Sequence, residues 1–160
     1  MLTPNIYRWF YKGGRPNSVA KCLNAISAVL HAWGVAPNLA VTLEVVGRKS
    51  RRVIRVPLVM TILAGDRYLV AMLGEAANWV LNLRAAAGHA TLVHGRREDV
   101  LLEEVPVDLR APILQAYLHR APGARPHFPI RYDAPRAQFE RIAARFPVFK
   151  VLPAKALTNT

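Results

Sequence analysis

Between two apolar runs, Gly47-Arg48-Lys49-Ser50-Arg51-Arg52 places four cations and a hydroxyl in one tight turn. Repulsion among them is tolerable in two settings, free in solvent or opposite an anion. Held at the rim of a sheet, Arg48, Lys49, Arg51 and Arg52 could grip phosphate and carboxylate oxygens, each charge-assisted hydrogen bond contributing about 1.5–3 kcal/mol. A solvated hairpin turn is the plainer alternative. Arg55 follows on the second run, and residues four apart on a strand share a side, so it could join the same face as Arg51.

A second group is Asn78-Trp79-Val80-Leu81-Asn82-Leu83-Arg84. On a helix Trp79, Asn82 and Leu83 share a face that combines a large ring, an amide and an aliphatic group. The amide could hydrogen-bond a heterocycle or its polyol chain. The alternative makes Trp79 and Leu83 core anchors and Asn82 a surface amide. His127, in the stiff run Arg125-Pro126-His127-Phe128-Pro129, could border a pocket or simply lie on a loop surface.

Several chemistries are missing. The chain has three serines, none in a Gly-x-Ser-x-Gly elbow, and its one cysteine, Cys22, has no base beside it, which argues against acyl transfer through a nucleophile. His31, His89, His94, His119 and His127 show no paired metal-ligand spacing, so no metal site is expected. No glycine-rich phosphate loop of the dinucleotide or nucleoside-triphosphate kind occurs.

The elements that must position these groups follow from periodicity. Thr3 to Lys12 mixes aromatics with cations and reads as a short helix or arm; Asn17-Ser18 caps a helix that Gly34 and Pro37 end. From Leu39 the pattern becomes extended. Val41–Val46, Val53–Leu63 and Arg67–Met72 form a meander, and Asn78 is expected to cap a helix from Trp79 to about Ala87. Ala90–Val93 and Arg97–Val105 make a second hairpin, helices follow Pro106 and Pro135, and Phe146–Leu152 is a last strand. Two hairpins around one short helix cannot supply the crossovers of a doubly wound parallel sheet. The expectation is an α+β fold with about six mainly antiparallel strands closed into a small barrel and helices outside.

At 160 residues with 52% apolar content the chain is expected to form one domain, with residues 1–36 as an N-terminal arm and helix and 39–153 as the barrel core. The longest nearly unbroken apolar stretch, Val56–Ala64, is far short of the roughly 20 residues of a membrane span, no basic-then-apolar leader is expected, and a lone cysteine suits a reducing compartment. A cytoplasmic location is expected. The net charge of +12 attracts polyanions, which include nucleic acid, anionic lipid and phosphorylated cofactors.

Taken together, Leu43-Glu44-Val45-Val46-Gly47-Arg48-Lys49-Ser50, Val56-Pro57-Leu58, Gly65–Ala71, Trp79-Val80-Leu81-Asn82-Leu83 and Phe146-Pro147-Val148 resemble the deazaflavin-dependent nitroreductase and quinone-reductase family, over about Leu39 to Pro153. The resemblance implies a split β-barrel and reduced 8-hydroxy-5-deazaflavin, coenzyme F-420, which passes a hydride to a quinone, nitroaromatic or other activated small-molecule acceptor. It implies that Arg48, Lys49 and Ser50 hold the coenzyme's phosphate and oligoglutamate tail, that Pro57 lies beside it, and that Trp79 and Asn82 line its ring or side chain. Arg51 and Arg55 belong to the same expected cofactor set. Arg51 stands where relatives usually carry glycine, Ile54 where they carry arginine, and Val59 where some carry a substrate-contacting tyrosine; Met72-Leu73-Gly74-Glu75 replaces a Ser-Lys-Gly-Gly loop.

His127 or Tyr132 could give the reduced acceptor its proton, as could solvent. Residues 3–12 could cover the acceptor, rest on a membrane surface holding quinone, or pack on the barrel, and pairing of two barrels through a sheet would give a homodimer. The rival class is a non-catalytic basic barrel for nucleic acid, disfavoured because the strands carry mostly aliphatic side chains with Tyr68 the exception. A split barrel for flavin mononucleotide (FMN), a lipid or a tetrapyrrole is the other alternative.

Overall fold

The computed structural model describes residues 39–154. The expected arm at residues 3–12, the helix ending at Gly34, Cys22 and His31 lie outside the described residues.

Alternating apolar residues build six strands: β1 (Ala40–Val46), β2 (Val53–Leu63), β3 (Asp66–Val70), β4 (His89–His94), β5 (Arg96–Glu104) and β6 (Val148–Pro153). They close in the order β1-β2-β3-β6-β5-β4, with every pair antiparallel. The helices are α1 (Asn78–Ala85), α2 (Ala111–Arg120) and α3 (Arg136–Ile142). The expected α+β barrel with helices outside is the observed architecture. Among the described residues no helix is long and apolar enough to cross a membrane.

Period-two alternation gives the barrel wall two apolar faces. Leu43, Leu69, Leu92, Val100 and Phe149 fill the interior, and Trp79, Val80 and Leu83 of α1 pack into the same cluster. On the other face Val59, Val70 and Val148 meet Leu114, Leu118 and Phe139 of α2 and α3. Each fully buried side chain of this size contributes about 1.5–3 kcal/mol, so the wall is stabilised from both of its faces. Arg110, buried at the start of α2, donates to the carbonyls of Val105, Ala143 and Phe146 and to Glu104, which docks α2 against the end of β5.

Two local expectations need correction. Asn78 does not cap α1: Ala77 occupies the cap position without a side-chain hydrogen bond, and Asn78 opens the first turn. The third strand stops at Val70, two residues early, because the chain turns beyond Ala71, where Gly74 N–H donates to the Ala71 carbonyl. Beyond the end of α1 comes Gly88, whose N–H donates to Leu83 O at 2.9 Å and whose carbonyl accepts from Leu102 N–H at 2.8 Å. With φ at +83° across such a contact, only glycine fits: a Cβ at Gly88 would stand 2.6 Å from the Leu102 carbonyl oxygen.

Candidate functional site

The cationic turn joins β1 to β2 and is internally braced. Gly47 N–H donates to Arg52 O at 2.8 Å, Arg51 N–H donates to Gly47 O at 2.9 Å, and Ser50 Oγ accepts from Arg52 N–H at 3.3 Å. Arg51 has φ +58°, in the left-handed region. That conformation favours glycine, and this chain sets an arginine there instead.

The turn is also held from outside. Asn82, 3% exposed on α1, presents Oδ1 to the Arg48 main-chain N–H at 3.1 Å and to Arg48 Nη1 at 2.8 Å. One amide oxygen therefore fixes both the backbone and the side chain of Arg48 from 34 residues away. Lys49, Ser50, Arg51 and Arg52 remain exposed. Among the described residues, none of the four cations of the turn forms an ion pair.

Beside this turn the barrel opens. β1 pairs with β4 only through Thr42–Glu44 against Thr91–Val93. Past Glu44 the two strands part, and a cleft of about 410 Å³ is lined by Val45 and Val46 of β1, Val53 of β2, His89 to Thr91 of β4, and Arg97 and Asp99 of β5. Val46 and Val53, the cross-strand pair that flanks the turn, are half exposed on its wall. The turn thus joins two residues that line a cleft of ligand size, although none of its own cations lines it.

Arg55 does not join the turn's cations in the way the spacing suggested. Its Nε donates to Glu44 Oε1 at 2.8 Å, and Arg97 donates through both terminal nitrogens to the same carboxylate. Burial alone would raise the Glu44 carboxyl; the hydrogen bonds and charges of Arg97 and Arg55 outweigh it and hold the group below the usual carboxylate range. This buried, doubly paired carboxylate forms the floor of the cleft, and Pro57, opposite Thr42, lies one outward position along β2 from Arg55.

Trp79 packs into the barrel. It is 8% exposed, with its ring 5.5 Å from that of Phe149 inside the barrel cluster. The face of α1 proposed from spacing does exist, but its ring anchors the helix and its amide grips the turn. The expected proton donors are dispersed. His127 lines a different cleft with Met72–Ala76, Arg145 and Phe146, sharing no lining residue with the first. Tyr132 lines neither of these clefts; Arg125 lies 3.7 Å over its ring and His119 meets it edge-on at 5.2 Å. Sequence reasoning missed His89, Asp99 and Arg97 as cleft residues, since only the parting of β1 and β4 brings them beside the turn. Among the described residues no cluster of three or more His, Cys, Asp or Glu could hold a metal ion.

No protein-family model matches the chain, and no curated protein does. Solved structures do. A protein from Agrobacterium tumefaciens of unknown function, Atu2129, is 11% identical over 79% of this chain and 53% of its own, with a TM-score of 0.53. A pyridoxamine 5'-phosphate oxidase candidate from Listeria innocua is 11% identical over 83% of this chain and 94% of its own, with a TM-score of 0.50. An F420-H2 dependent reductase, FDR-A, is 22% identical over 73% of this chain and 96% of its own, with a TM-score of 0.49. At these identities the likeness is one of fold, and the fold is the split barrel.

Proposed function

We propose that this chain is a reductase that binds the reduced deazaflavin coenzyme F-420 in the cleft between β1 and β4 and delivers its hydride to a quinone, nitroaromatic or other activated acceptor. The observation that carries the reading is the cationic turn. Four like charges without a carboxylate partner among the described residues, on a turn whose flanking Val46 and Val53 line a cleft, suit a ligand that brings its own negative charge.

The fit is one of charge and place. Lys49, Arg51 and Arg52 extend into solvent beside Val46 and Val53, where they would hold phosphate and carboxylate oxygens, with Ser50 adding a hydroxyl. Asn82 keeps the Arg48 segment in place, which lowers the ordering cost of closing the turn on a ligand. The Glu44 carboxylate on the cleft floor already has two arginine partners, so it opposes an anionic ligand less than a lone carboxylate would. When bound, the coenzyme supplies the hydride chemistry. The chain's own work is then orientation and exclusion of water, with Pro57 and the two valines as apolar contacts. Neither His127 nor Tyr132 lines this cleft, so under this reading neither gives the acceptor its proton.

The test is a titration of the purified chain with F-420, with FMN and with single-stranded DNA. Micromolar or tighter binding of F-420, weakened at least tenfold by the double change Lys49→Gln and Arg52→Gln, supports the reading. A preference for DNA, or F-420 binding indifferent to those charges, overturns it; a preference for FMN keeps the cleft and replaces the coenzyme.

A further inference from the structure

The second cleft, on the loop between β3 and α1, holds about 530 Å³, as large as many small-molecule sites. One side of it is apolar: Met72, Leu73 and Phe146. Leu73 is 67% exposed, a large aliphatic surface presented to solvent at the edge of a concavity. Phe146 is a rigid support, its ring stacked 4.1 Å from that of Phe128.

The polar side carries the positive charge of Arg145. Arg145 is exposed and makes no ion pair among the described residues; its guanidinium lies 5.6 Å from the Phe146 ring centroid. His127 lies on the same wall. The cleft's one carboxylate, Glu75, is taken up by Arg84 at 2.7 Å, and Arg84 reaches on to Glu104. An arginine open to an incoming group, a neutralised glutamate and a hydrophobic wall select an anion with an apolar body.

We propose that this cleft is a binding site for a small aromatic carboxylate, with the carboxylate on Arg145 and the ring against Leu73 and Met72. The site shares no lining residue with the cleft beside the cationic turn, so it stands or falls independently of the coenzyme reading. It gives the chain a place for an organic acid that acts as an effector.

The experiment is a heteronuclear NMR titration of the full chain with 2-naphthoate, and with uncharged 2-naphthamide as control. Naphthoate is expected to shift the amides of Leu73 to Ala76 and His127, to bind at least tenfold more tightly than the amide, and to lose at least tenfold in affinity in Arg145→Gln. Leu73→Ser should weaken it as well, and both positions are exposed enough that the variants keep the parent's melting temperature. Equal binding of acid and amide, an unchanged affinity in Arg145→Gln, or shifts confined to residues 47–52 would overturn the proposal. Competition by FMN at the same amides would overturn it too.

Discussion

Replacing Asn82 with alanine removes one oxygen that serves two donors of Arg48. The main-chain bond contributes a net of about 0.5–1.5 kcal/mol and the guanidinium bond about 1.5–3 kcal/mol. Arg48 is only half-buried, so water recovers part of what both donors lose, and the lower half of the sum applies, about 2–3 kcal/mol. For a chain of 160 residues this lowers the melting temperature by roughly 5–10 °C. Urea unfolding followed by far-ultraviolet circular dichroism measures it directly, and Asn82→Asp, which keeps the acceptor, should retain most of the stability. A cycle with Arg48→Ala isolates the side-chain bond: the main-chain bond survives in that variant, so the coupling should be about 1–2 kcal/mol. A loss below about 0.5 kcal/mol in Asn82→Ala, together with zero coupling, would refute the claim that this amide fixes the turn.

Arg51→Gly relieves a left-handed φ of +58° and should leave stability unchanged or raise it by up to about 1 kcal/mol, while weakening F-420 binding through the lost charge; urea midpoints and the coenzyme titration report the two effects separately. Gly88→Ala forces a left-handed residue and a 2.6 Å clash with the Leu102 carbonyl, and should cost about 2–5 kcal/mol in urea unfolding. Because the Glu44 carboxyl is held low, its contribution to stability is complete above the ordinary carboxylate range and lost as pH falls through the folded-state value. The gap in melting temperature between parent and Glu44→Gln should therefore narrow as pH drops from about 6 toward 3, and a constant gap would count against the ion pairs.

Strand β2 was readable to the residue, Val53–Leu63, because β-branched residues run between a polar turn and Ala64-Gly65. The antiparallel closure followed from short hairpin connections, whereas the end of β3 did not, since Ala71 and Met72 are as apolar as a strand and a tertiary turn stops the ladder. Asn78 illustrates a local rule overridden: the residue type favours a cap, yet the chain enters α1 one residue earlier. The cationic turn stood out from composition alone. Its latch did not, because Asn82 reaches Arg48 only after α1 has seated Trp79 and Leu83 in the barrel, and no spacing rule spans that distance. Arg55 was assigned to the turn by strand parity, but a buried glutamate directly across the ladder attracts it more strongly than an open rim of like charge.

Helix α1 does two things with one body: its ring and aliphatic side chains sit among interior side chains, and its amide grips a surface turn. Lifting the helix therefore releases the turn in the same event. The Arg48 amide proton, although close to the surface, should exchange with solvent at the slow pace of amides within α1, and ligand on the turn should slow both by the same factor. A molecule gripped at the rim would be felt by the barrel interior as added resistance to opening.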